Sequence, residues 1–101
     1  MWYAIVGNDI PDSLARRQAA RPAHLERLRA LHEEGRLLLA GPFPGIDAED
    51  PGPAGFTGSL ILADFPSQAE AEAWARVDPY VDAGVYASVS IKPFIQALPR
   101  A

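Results

Sequence analysis

The sequence predicts an α+β fold, a four-stranded antiparallel sheet with two helices on one face. Three observations carry that prediction. The elements legible along the chain run strand, helix, strand, strand, helix, strand. Right-handed strand–helix–strand crossovers leave few ways to assemble that order. At 101 residues there is room for one compact domain and no more, so a single domain is expected over 1–101. The arrangement that satisfies all three is the ferredoxin-like one.

The first strand is read over Trp2 to Val6, where aromatic and β-branched residues dominate before Gly7, Asn8 and Pro11. Both parities are apolar: Trp2, Ala4 and Val6 on one side, Tyr3 and Ile5 on the other. Such a strand is covered on both faces. Asp12 reads as the N-cap of a helix near 12–20. Pro22 removes a hydrogen bond inside a helix but costs nothing at its first position, so a second helical piece is predicted from Pro22 to Glu34, stopped by Gly35.

A second strand follows over Leu37 to Gly41 and a third over Thr57 to Asp64. The Gly/Pro-rich connection between them is long for so small a domain, and it is expected to form a lid over a site or an excursion to a partner subunit. Ser67-Gln68-Ala69-Glu70 is a capping box. It opens a helix to about Val77, with Ala69, Ala73, Trp74 and Val77 on its inner side. Asp78-Pro79 ends that helix, because a residue before proline avoids the helical region. The last strand runs from about Val85 to Phe94. Two helices can cover only one face of the sheet, so the apolar second face calls for a symmetric homodimer packed sheet to sheet.

Composition narrows the function. With 9 basic against 13 acidic residues the net charge is −4, which argues against nucleic acid as a partner. Cysteine is absent, which excludes disulfides, thiolate metal sites and thiol nucleophiles and fits a reducing compartment. No run approaches the roughly 20 apolar residues of a membrane span, and the start MWYAIVGND lacks the pattern of a secretory signal. A soluble cytoplasmic protein is expected, with no membrane partner. The Gly-rich connection lacks the Gly-Lys-Ser/Thr end of a phosphate loop, and Asp47, Glu49 and Asp50 lack the alternation of a calcium loop.

The candidate base is His24. Leu25, Leu28 and Leu31 define the inner arc of their helix, and His24 falls within it, pointing at the sheet. At the start of a helix the dipole disfavours an imidazolium, which suits a neutral ring able to accept a proton. The competing reading is a core-facing histidine satisfied by a backbone carbonyl. His32, beside Glu33 and Glu34, reads as solvated packing. It lies eight residues from His24, beyond the reach of a helical metal-ligand pair, so no metal site is expected. Asp78, held by a helix exit and a following proline, is the natural partner to orient His24, although Asp-Pro also begins turns without any further role. Trp74 and Tyr86 read as core.

The stretch DSLARRQAARPAHLERLRALHEEGRLLLAGPFP, with GFTGSLILADF, DPYVDAGVY and VSIKPF, resembles the YCII-related family in order and without large gaps. Arg21-Pro22-Ala23-His24-Leu25 and Asp78-Pro79-Tyr80 are the most specific parts. The resemblance implies a ferredoxin-like fold assembling as a dimeric α/β barrel, with an active site centred on a histidine–aspartate pair that falls on His24 and Asp78. One branch of the family acts as a dehydrochlorinase on a chlorinated hydroxyquinol, and related barrels include lactone isomerases and cofactor-free monooxygenases. Two functions therefore fit. One is a cofactor-independent enzyme in which His24 moves a proton on a small phenolic or quinone-like molecule, Asp78 orients it, and Arg21 or Tyr80 holds the substrate. The other is a non-catalytic binding or accessory protein that keeps the pocket for a ligand.

Overall fold

The computed structural model describes residues 1–99; the last two residues of the expected domain lie outside the described ones. The elements are β1 (Trp2–Asp9), α1 (Leu14–Glu33), β2 (Leu37–Pro44), β3 (Phe56–Asp64), α2 (Gln68–Arg76), α3 (Pro79–Asp82) and β4 (Tyr86–Phe94), with a 3₁₀ turn at Gly52–Ala54. The sheet order is β2-β3-β1-β4 and each neighbouring pair is antiparallel. Each long crossover therefore skips one strand, which is the ferredoxin-like arrangement.

One face of the sheet carries the core. Tyr3 and Ile5 of β1 and Ile61 and Ala63 of β3 are buried with Leu28 and Leu31 of α1, Ala71 and Ala75 of α2, and Phe65. Burying a side chain such as Leu28 or Leu31 contributes roughly 1.5–3 kcal/mol. The other face is apolar and open. Trp2, Ala4 and Val6 are half-buried there, while Leu39, Phe43 and Phe94 keep 47%, 40% and 36% of their surface exposed. The two-sided character of β1 is thus real, but only one side is covered within the chain.

The helical break at Pro22 is not present: α1 is one helix of 20 residues with Pro22 inside it. Pro22 is exposed, so its ring meets solvent instead of a packed neighbour. The buried positions Arg17, His24, Leu28 and Leu31 recur on one stripe on both sides of it. Their packing outweighs the one hydrogen bond that proline removes. The N-cap is Ser13, not Asp12. Asp12 stands at φ 58°, a left-handed conformation that aspartate tolerates better than most residues. At the other end Gly35 at φ 73° closes the helix as predicted. Its N–H donates to the His32 carbonyl and that of Arg36 to Leu31, a Schellman pair.

The α2 cap is as read, with the Ser67 hydroxyl accepting from the Glu70 N–H. The inner face is not. Ala71 and Ala75 are buried and Trp74 half-buried, whereas Ala69, Ala73 and Val77 are exposed. The difference from the predicted face has a simple cause: four of the helix's nine residues are alanines, which barely mark a face. Asp78-Pro79 does end α2, but it also starts the short α3, with proline in its favoured first-turn position. β2 runs three residues past Gly41, which shortens the long connection.

Candidate active site

The site is built where the N-terminal half of α1 crosses the far ends of β1, β2 and β3. The turn of α3 closes it. Asp78 sits at the N-cap of α3, where its Oδ1 accepts the Tyr80 N–H at 2.8 Å. The same carboxylate faces Nδ1 of His24, 2.9 Å from Oδ1 and 3.0 Å from Oδ2. Both residues are buried, His24 at 6% and Asp78 at 3% exposure. A carboxylate on Nδ1 fixes that nitrogen as the N–H donor, so in the neutral ring Nε2 is the bare acceptor. The Tyr80 ring stacks on the imidazole, with centroids 3.9 Å apart and planes within 7°. Tyr80 therefore locks the ring plane while Asp78 locks its rotation.

A cavity of about 440 Å³ opens beside this pair, lined by His24, Tyr80, Arg17, Arg21, Phe56 and Ser59 among others. Its volume is in the range of small-molecule sites. The structure brings His24, Tyr80 and Arg21 to one cavity and places Asp78 behind the imidazole. Arg21 is exposed and stands at the rim. Of residues 43–56 in the long connection, expected to form a lid or an excursion to a partner subunit, only Phe56 lines the cavity. His32 is exposed, as the sequence suggested. A larger and more open cleft of about 650 Å³ lies at the opposite end of the sheet, between Met1, Arg36, Asp64 and Trp74. It contains no histidine, and its N-terminal ammonium is paired with Asp64 at 2.6 Å.

The residues that sequence reasoning missed are Arg17 and Asp9. Arg17 Nε and Nη2 reach the two oxygens of Asp9 at 2.5 and 2.9 Å, and Nη2 also donates to Ser59 Oγ at 2.8 Å. The Ser13 hydroxyl donates to Asp9 Oδ2 at 2.5 Å. This side-on ion pair is almost wholly buried. Burial works to lower the Arg17 pKa, but the hydrogen bond and charge of Asp9 outweigh it and hold the group above its ordinary value. The guanidinium lies 4.9 Å from the Tyr80 ring centre and 5.4 Å from that of Phe56. A signal was available: Arg17 is seven residues before His24 and so shares its helical stripe. Burial raises the Tyr80 pKa, opposed in part by Arg17 and Arg21, so its phenol is protonated at neutral pH. Among the described residues no cluster of His, Asp or Glu is arranged to hold a metal ion.

Tyr86 lies beneath this layer. Gly7 makes room for it, since a Cβ there would stand 2.5 Å from the tyrosine ring. Its hydroxyl is buried without a hydrogen-bond partner of good geometry, although Ser59 lies near enough to oppose in part the effect of burial on its proton. Burial pushes the Tyr86 pKa up to about 12. An unfolded tyrosine titrates near pH 10. The unfolded chain thus gives up this proton first, and stability that is complete below about pH 10 is lost as pH rises through about 12. Tyr86→Phe is expected to flatten that loss, leaving the smaller one due to Tyr80, and to leave neutral-pH stability unchanged or raised. Urea unfolding between pH 7 and 11.5 reads this directly. An equally steep decline in both proteins would contradict it.

The comparisons with known proteins agree with the fold. A model of the YCII-related domain matches residues 1–95. The chain is 60% identical over 94 residues to Protein YciI of Escherichia coli, covering 93% of this chain and 96% of that one. It is 54% identical, over the same shares, to an uncharacterized protein of Haemophilus influenzae. Among solved structures it is similar to the 5-chloro-2-hydroxyhydroquinone dehydrochlorinase TftG of Burkholderia phenoliruptrix, in complex with 2,5-dihydroxybenzoquinone. The TM-score is 0.82 at 26% identity, covering 94% of each chain. No helix among the described residues is long and apolar enough to cross a membrane. By its fold, its motifs and a match across nearly its whole length, the chain belongs to the YCII-related family.

Proposed function

We propose that this protein is a cofactor-independent enzyme in which His24 and Asp78 act as a general acid–base dyad on a small phenolic or quinone-like molecule. The observation that carries the reading is the orientation of His24. Its Nδ1 is held by both oxygens of a buried carboxylate, and the ring lines a cavity of small-molecule size. Nε2 is the nitrogen left to take a proton from a ligand, and Asp78 stabilises the imidazolium that results. Tyr80 supplies a flat, protonated phenol and Arg21 a cation at the rim, which suits both to holding an oxygenated ring.

The structural neighbour's named activity supplies the first reaction to try. In a dehydrochlorination, one hydroxyl proton of the ring moves to the chlorine-bearing carbon as the ring passes to its keto tautomer. His24 Nε2 then takes the proton of the hydroxyl para to the new carbonyl, and the electrons freed there form a carbonyl and a ring double bond. Chloride departs with the carbon–chlorine electron pair, and the imidazolium returns its proton to water. The balance is loss of HCl with no external oxidant. Chloride release from 5-chloro-2-hydroxyhydroquinone and related chlorinated hydroquinones tests the reading. Wild-type release is expected to exceed that of His24→Ala about 10²–10⁴-fold; equal release in the two proteins overturns it. For binding, 2,5-dihydroxybenzoquinone is the first probe.

The same reading includes a homodimer formed through the open sheet face. Leu39, Phe43 and Phe94, exposed beside Trp2 and Val6, form the kind of apolar surface that soluble chains cover. Light scattering at micromolar concentration is expected to give twice the mass of the chain, and a monomer there would refute the pairing.

A further inference from the structure

We infer that the cavity takes its ligand as an anion, and that Arg17 is the residue that binds the negative charge. The inference rests on the reading of the cavity as a small-molecule site and names the class of molecule it selects. Its first support is the state of the Arg17 donors. Nε and Nη2 are held by Asp9 and Ser59; Nη1 makes no hydrogen bond of good geometry to a described residue, the Tyr80 phenol being its nearest claimant. Arg17 lines the cavity, and its side chain is only 6% exposed. Nη1 is not among the sealed-off unpaired atoms, so it opens on the cavity, and a charged donor there bonds an oxyanion more strongly than a neutral one would. Asp9 and Ser59 fix the guanidinium plane in advance, so little ordering is needed when a ligand arrives.

The second support is independent of that bond pattern. The chain has more acidic than basic residues, 13 against 9. Yet the cavity wall includes Arg17 and Arg21 and no carboxylate. The shallow groove continuous with it along α1, which shares Gln18, Arg21 and Leu25, adds Arg29 and again no carboxylate. Asp9 and Asp78 are turned away from the cavity, each behind the basic group it orients. An acid-rich chain has thus kept its negative charge off one surface, the approach to His24. Such a lane concentrates anions against the sign of the whole molecule. Arg17 and His24 both pack on the Tyr80 ring, so one small planar ring can put an ionised oxygen at Arg17 while a second ring position faces His24. The ligand class is a planar ring acid: an acidic phenol, a hydroxyquinone or a ring carboxylate.

The test compares two rings of one shape. 2,5-Dihydroxybenzoquinone is a vinylogous acid, ionised at neutral pH, and 2,5-dimethoxybenzoquinone is its uncharged ether. Calorimetric titration of the wild-type protein is expected to show at least tenfold tighter binding of the acid, weakening as salt is added. Arg17→Gln is expected to weaken the acid about 10–100-fold and the ether little, which brings the two together. Because that variant strands a buried Asp9, Asp9→Asn/Arg17→Gln is measured beside it, and Arg21→Gln, at an exposed position, tests the rim separately with a smaller selective loss. Equal wild-type affinity for the two rings, binding of neither, or a preference unchanged in the folded double variant overturns the inference. The readout is binding, so it separates from catalysis. His24-dependent chloride release with no preference for the acid would sink the anion site alone. A clear preference with no turnover would sink the dyad alone.

Discussion

Asp78→Asn is expected to lower turnover about 10²–10⁴-fold while leaving the fold and ligand binding in place. The sign follows from the proton inventory of the pair. An aspartate on Nδ1 accepts, which forces the imidazole proton onto Nδ1 and bares Nε2 toward the cavity. An asparagine amide can present its NH₂ instead, which stabilises the other tautomer and places a hydrogen where the base should be. It also removes the charge that supports the imidazolium. Structure is spared because asparagine caps helices about as well as aspartate, so the bond to the Tyr80 N–H at the start of α3 survives. The measurement is kcat and KM for a chlorinated hydroquinone, with unfolding curves for both proteins. A drop in kcat with little change in KM supports the dyad. An unchanged kcat removes Asp78 from the mechanism.

Asp9→Ala carries the largest expected effect on stability, a loss of about 3–5 kcal/mol. The aspartate side chain is 1% exposed and the Arg17 side chain 6%, so removing the carboxylate leaves a guanidinium in a dry site with two hydrogen bonds gone. The Ser13 hydroxyl loses its shortest partner as well. A domain of this size is stable by about 5–15 kcal/mol in total, so a large share of the margin disappears. The double variant Asp9→Ala/Arg17→Met is expected to recover most of it, since an apolar replacement removes the stranded charge. Urea midpoints for the single and double variants decide the matter. A single variant within 1 kcal/mol of wild type would show that the pair is solvated in solution.

The sheet and its order were legible because apolar strand runs and helix formers alternate cleanly, and because few topologies accept that sequence of elements. His24 and Asp78 were legible for a different reason: each sits at a marked place, an inner helical stripe and an Asp-Pro corner. Asp78 offers itself as the partner from its rigid corner, but across 54 residues spacing alone does not decide the pairing, and the resemblance adds the rest. Arg17 and Asp9 escaped notice because each alone looks ordinary, an arginine in a basic helical stretch and an aspartate leaving a strand. Only the crossing of α1 over the end of β1 turns two surface-type residues into a buried pair. The continuity of α1 through Pro22 is not legible locally, because it depends on the packing of the buried stripe on either side of the proline.

That proline has a mechanical consequence. Its missing amide leaves the Gln18 carbonyl without the rung that would normally brace it, and this slack turn falls between Arg17 and His24. The rest of the constellation is bolted down by paired charges and stacked rings. The turn that spaces its two halves is thus the one that lacks a backbone rung.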